Sequence, residues 1–156
     1  TYEGELLMES GYSFKSTKFE IEKNEDEETN PGRYGKQLAY WLSDEFTKLG
    51  YQTDVFPDDW GWRVVCESND YLLWLGCGSM QDEETLESYQ EEKPPEGKEV
   101  VWHVFPVIEV PFSSFKVIIN KWFGKLDLET PLKKLDKELQ RILSSQVEIE
   151  LCEEEP

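Results

Sequence analysis

Apolar side chains recur at three- and four-residue steps through residues 31–49, at Tyr34, Leu38, Trp41, Leu42, Phe46 and Leu49. Lys36, Asp44, Glu45 and Lys48 fall mostly off that stripe, and the pattern predicts an amphipathic helix over 31–49. Asn30 is placed to accept a hydrogen bond from the free amides of the first turn. Pro31 has no amide to leave unpaired, and Gly50 supplies a left-handed stop. A second helix is predicted from Thr130-Pro131 onward, with Leu132, Leu135, Leu139, Ile142 and Leu143 inward and Lys133, Lys134, Lys137 and Arg141 outward. A shorter one is predicted over 112–123, where Phe115, Ile118, Ile119 and Trp122 recur at helical steps before Gly124.

Elsewhere the period is two. Residues 12–22 alternate as one strand with a slip near Ser16, and residues 51–56 form a short strand. Pro57-Asp58-Asp59 then turns the chain into a strand over 60–67, with Trp60, Trp62, Val64 and Cys66 on one face. A turn at Ser68-Asn69-Asp70 leads into 71–77, apolar on both faces as a doubly covered central strand should be. Residues 100–108 read as a strand ending near Pro106, and 146–152 as an edge strand guarded by Glu148 and Glu150. Residues 23–29, 81–99 and 153–156 lack apolar periodicity and are expected to be a solvated loop, a long acidic excursion and a frayed tail. Five to six strands and two to three helices, without Gly-rich phosphate loops or regular strand-helix repeats, predict an α+β domain. Its antiparallel or mixed sheet would carry helices mainly on one face.

The chain has 156 residues, 38% of them hydrophobic and 13% aromatic, which is enough for one core and argues against wholesale disorder. Its acidity therefore decorates a folded body. Thirty-four Asp and Glu against sixteen Lys and Arg give a net charge of -18. Residues 116–141 hold seven basic and four acidic groups, a net +3, so the remainder carries -21. A surface of that sign repels nucleic acid and anionic membranes and favours a basic protein partner. No run approaches the roughly 18 apolar residues of a membrane span, and the opening TYEGELLMES lacks a basic region followed by an apolar one. Three cysteines, an odd number with no CxxC, fit reduced thiols in a cytoplasmic protein. Hairpin register sets Cys66 and Cys77 roughly 15 Å apart, so a disulfide between them is not expected.

Candidate chemistry is sparse. His103 is the only histidine, which excludes sites needing two, and nothing around Cys66, Cys77 or Cys152 marks a nucleophile. Acidic runs at 25–28, 82–84 and 153–155 lack the offsets of a calcium loop, and Leu75-Gly76-Cys77-Gly78-Ser79 lacks phosphate-loop spacing. Neither a cofactor nor a metal is predicted. Asp58 and Asp59 beside Trp60 and Trp62, with Arg33 or Arg63, could form a small-ligand or catalytic corner. A turn followed by core packing explains the same residues. NPGRYGKQLAYWLSDEFTKLGY followed by FPDDWGW, and then LLWLGCG, resembles an uncharacterised family of small bacterial proteins over about residues 30–80. That resemblance implies a bacterial or phage origin and no established activity.

Two functional expectations follow. One is a non-enzymatic acidic protein that neutralises a basic partner, as an immunity protein or a nucleic-acid-mimicking inhibitor does. Its contact residues would be Asp58, Asp59, Trp60, Asp82, Glu83, Glu84, Glu91 and Glu92. The alternative is an enzyme or small-ligand module built on the Asp58/Asp59/Trp60/Trp62 corner. Halophilic adaptation is less attractive, given a lysine-rich helix.

Overall fold

The computed structural model describes residues 5–80, 95–110 and 126–152. Among these residues seven antiparallel strands form one sheet: β1 (Glu5–Met8), β2 (Tyr12–Ser16), β3 (Asp54–Asp58), β4 (Gly61–Ser68), β5 (Leu72–Met80), β6 (Val101–Val110) and β7 (Ile149–Leu151). Their order is β3-β4-β5-β6-β2-β7, with β1 also paired to β6. Helices α1 (Lys36–Lys48) and α2 (Glu129–Ser144) join the same core cluster on one face of that sheet. The fold is α+β.

Heptad-like spacing accounts for both helices. Leu38, Ala39, Leu42 and Phe46 of α1 and Leu132, Leu135, Leu139 and Leu143 of α2 are all buried against Trp62, Val64, Leu75 and Val104. Gly50, at φ 101°, ends α1 as expected, its N–H bonding Thr47 O at 3.0 Å.

The start of α1 differs from the sequence expectation. Residues 31–35 are a loop, Gly35 is the N-cap, and Asn30 instead donates its side-chain amide to Asp59 O at 3.0 Å. The capping oxygen comes from Glu25, ten residues upstream. Its Oε2 accepts from the Gly35 and Lys36 amides at 3.1 and 3.0 Å, and its Oε1 from Glu22 N at 2.8 Å. Asp26 Oδ2 accepts from Gly32 N at 3.0 Å. Residues 23–29 are thus not simply a solvated loop: Glu25–Glu27 is a 3-10 turn that buries Glu25 and Asp26 against the positive end of a helix. Likewise α2 starts ahead of Thr130-Pro131, the Glu129 and Thr130 amides donating to Asp127 Oδ1 at 3.1 and 3.2 Å.

Two strand boundaries also differ from the sequence expectation. Residues 12–22 are not one strand; β2 stops at Ser16, whose Oγ accepts from Lys18 N at 3.0 Å, though Phe19 still reaches the core. Strand β6 continues through Pro106 to Val110. Met8 faces Val107 and Tyr12 faces Val104, so three residues, Glu9 to Gly11, oppose two, Phe105 and Pro106. This is a one-residue bulge. Glu9 N donates to Pro106 O at 3.1 Å, so the donor that proline lacks would point toward the bulge, where the ladder is already interrupted. Gly11 is required there: at φ 78°, an added Cβ would lie 2.2 Å from Val104 O.

Candidate functional site

The β3–β4 hairpin turns at Asp59-Trp60, with Asp58 paired to Gly61 and Pro57 to Trp62. Pro57 therefore lies inside β3 rather than in the turn, which an edge strand tolerates. The four corner residues enter different environments. Asp58 Oδ2 accepts from Arg63 Nη2 at 2.9 Å, and its Oδ1 accepts from Asp59 N at 2.7 Å. The Asp59 carboxylate is in solvent. Trp62 is 2% exposed in the main core, its indole N–H without an acceptor among the described residues. Trp60, as a turn residue, leaves the alternation of Trp62, Val64 and Cys66 and packs on the opposite face.

That opposite face carries a second cluster. Val65, Trp74 and Val107 are buried in it, with Trp60, Leu72 and Phe105 half-buried around them. Trp60 stacks on Trp74 with centroids 5.9 Å apart and touches Phe105 at 5.5 Å. Gly76 makes room, since a Cβ there would lie 2.3 Å from the Phe105 ring that pairs across from it. The Arg63 guanidinium lies 4.0 Å over Trp74, between Asp58 and Glu109 Oε1 at 3.4 Å, and Glu109 also accepts from Trp74 Nε1 at 3.0 Å. Both carboxylates hold the cation over the ring. Sequence reading missed Trp74, Phe105 and Glu109 as part of this surface. Gly76 and Gly78, alternating on one side of an otherwise apolar strand, were the available signal.

His103 and Tyr51 are committed locally. His103 Nδ1 bonds Ser13 Oγ at 2.8 Å across β6 and β2, and burial holds the imidazole below its ordinary pKa against an opposing Ser10 backbone bond. Tyr51 donates to Glu138, while burial first and that carboxylate second raise its pKa. A cleft of about 470 Å³ opens beside it, lined by Tyr51, Asp54, Cys66, Glu67, Asn69 and Lys134 among others. Among the described residues no group of three or more His, Cys, Asp or Glu could hold a metal ion, and no helix is long and apolar enough to cross a membrane.

All three cysteines are free. Burial pushes the Cys66 thiol up to about 12 and raises that of the fully enclosed Cys77, whereas Cys152 is exposed. Native protein should therefore react promptly with Ellman's reagent at Cys152 alone, and at all three thiols once denatured. Fast labelling of Cys66 or Cys77 in the folded protein would contradict this packing.

Asp82, Glu83, Glu84, Glu91 and Glu92, the helix expected at 112–123 and the tail at 153–156 lie outside the described residues. Comparison of the chain with protein-family models, curated proteins and solved structures finds no match.

Proposed function

We propose that this is a non-enzymatic acidic binding protein that neutralises a basic protein partner, in the manner of an immunity protein or a nucleic-acid-mimicking inhibitor of bacterial or phage origin. The supporting observation is that much of its acidity has no internal use. The ion pairs among the described residues engage Glu22, Glu28, Glu45, Asp58, Glu96 and Glu109. Glu20, Glu27, Asp44, Asp54 and Asp59 are exposed with no cationic group of the described residues within 4.0 Å. Like charges left unpaired oppose one another and destabilise the compact state. A cationic partner relieves that repulsion on binding.

Salt separates this reading from its rivals, because screening shortens from about 10 Å at 0.1 M to about 3 Å at 1 M ionic strength. Protein immobilised through one terminus should retain a basic protein from a bacterial lysate. Affinity for the purified captured protein should fall at least about tenfold between low and high salt as steering is lost. A captured partner of acidic character, or an affinity indifferent to salt, would overturn the proposal.

A further inference from the structure

Resting on that reading, we infer that the basic partner docks on the sheet face around the β3–β4 hairpin tip. Phe56, Trp60 and Met80 are the apolar anchors, and Asp54 and Asp59 the charged rim. The fitting partner segment interleaves Lys or Arg with apolar side chains.

Three observations converge. First, exposed apolar side chains gather on this face: of the eight large ones among the described residues, Leu6, Met8, Phe56 and Met80 fall on it by register. Phe56 is 49% and Met80 56% exposed, while α1 and α2 pack on the other face. Apolar side chains exposed together mark interaction sites, whereas singly scattered ones do not. Second, Trp60 is held by Trp74 and Phe105, so it can receive a partner without losing rotamer freedom. Third, the charge is complementary. Arg63 is already satisfied by Asp58 and Glu109, which leaves Asp54 and Asp59 without an ion-pair partner among the described residues. The sequence after Met80 is acidic as well.

Other acidic ground is less suited. Between residues 20 and 28, Glu25 is buried as a helix cap and Asp26 against the Gly32 amide, Glu22 and Glu28 share Lys36, and Ile21 is half-buried. Pairing of a partner strand along β3 is blocked by Pro57 and by the charges of Asp54 and Asp58. The partner therefore meets the face, and not the edge.

Two probe peptides test this: one alternating Lys and Leu, and one of Lys and Gly with the same length and charge. Amide chemical shifts of the full chain are followed in low salt. The Lys-Leu peptide should bind at least about tenfold tighter. Its largest shifts should fall on Phe56, Trp60 and Met80, and Phe56→Ser should remove at least half of the preference on a logarithmic scale. Phe56 is half-exposed on an edge strand, so that variant should fold, with an unchanged melting temperature as the check; Met80→Ser is the second variant. Equal affinities, shifts centred on residues 20–28, or two silent variants would overturn the docking face alone. If neither peptide bound, the acidic-binding reading would fall with it.

Discussion

Replacing Glu25 with alanine should lower the unfolding free energy by about 3 kcal/mol, the sum of a lost helix cap and of buried amides left without an acceptor. The carboxylate serves three backbone N–H groups at once, of Glu22, Gly35 and Lys36, and is 2% exposed. Water cannot readily replace it. Glu25→Gln should retain part of the loss: both oxygens accept from N–H groups, so whichever end carries the amide NH₂ opposes a donor. The exposed neighbour Glu27 provides the control, and Glu27→Ala should stay within about 0.5 kcal/mol. Urea unfolding with unchanged slope reads the difference directly. A Glu25→Ala midpoint indistinguishable from wild type would show that the loop at 30–36 holds α1 without it.

The same group gives stability a pH dependence of definite sign. Burial raises the Glu25 pKa above its ordinary value, outweighing the three amide bonds that lower it. The folded chain therefore holds this proton more tightly than the unfolded chain. Its contribution is fully present below the unfolded pKa of about 4.3 and declines as pH rises through the folded value. The carboxyl remains a useful cap after ionisation; ionisation removes only part of the advantage.

Elements whose causes are local could be read from the residue pattern. The stripe of Leu38, Leu42 and Phe46, the Gly50 stop and the β4–β5 register placing Cys77 opposite Trp62 are all in this class. What failed depended on distant partners. Asn30-Pro31 is a sound helix start by local chemistry, yet the cap is supplied from Glu25, within a run whose composition reads as solvated. Pro106 should end a strand, but the β1–β2 bulge removes the need for its amide. Counting alternate residues back from Trp62 put Trp60 in the core because the count ran through a turn. At the candidate site, Asp58, Asp59 and Trp60 were visible as an acidic aromatic corner. The Trp74–Phe105 platform under Trp60 needed the β5–β6 register, which no single segment contains.

Trp102→Ala should be the most damaging single truncation, at about 4 kcal/mol, because a large cavity is added to a lost hydrogen bond. Trp102 is 1% exposed on β6, flanked by Phe14 on β2 and Ser79 on β5. Its ring meets Phe19 edge-on at 6.1 Å, and its Nε1 donates to Gly97 O at 3.2 Å. Collapse into the void is obstructed on that side. Gly97 already presses against the chain at Phe19, so closely that an added Cβ would lie 1.7 Å from the Phe19 carbonyl oxygen. Trp102→Phe keeps most of the packing and leaves Gly97 O without its donor, so it should cost about 1–2 kcal/mol. For a chain of this size the alanine variant should then melt about 8–16 °C lower, at 2–4 °C per kcal/mol. If phenylalanine proved as harmful as alanine, the indole hydrogen bond would dominate; if alanine cost under about 1 kcal/mol, the surroundings would have to relax far more than close-packed interiors do. The two variants together separate volume from polarity at the point where β2, β5, β6 and Gly97–Glu99 meet, the last a 3-10 turn with Gly97 buried where the sequence suggests a solvated excursion.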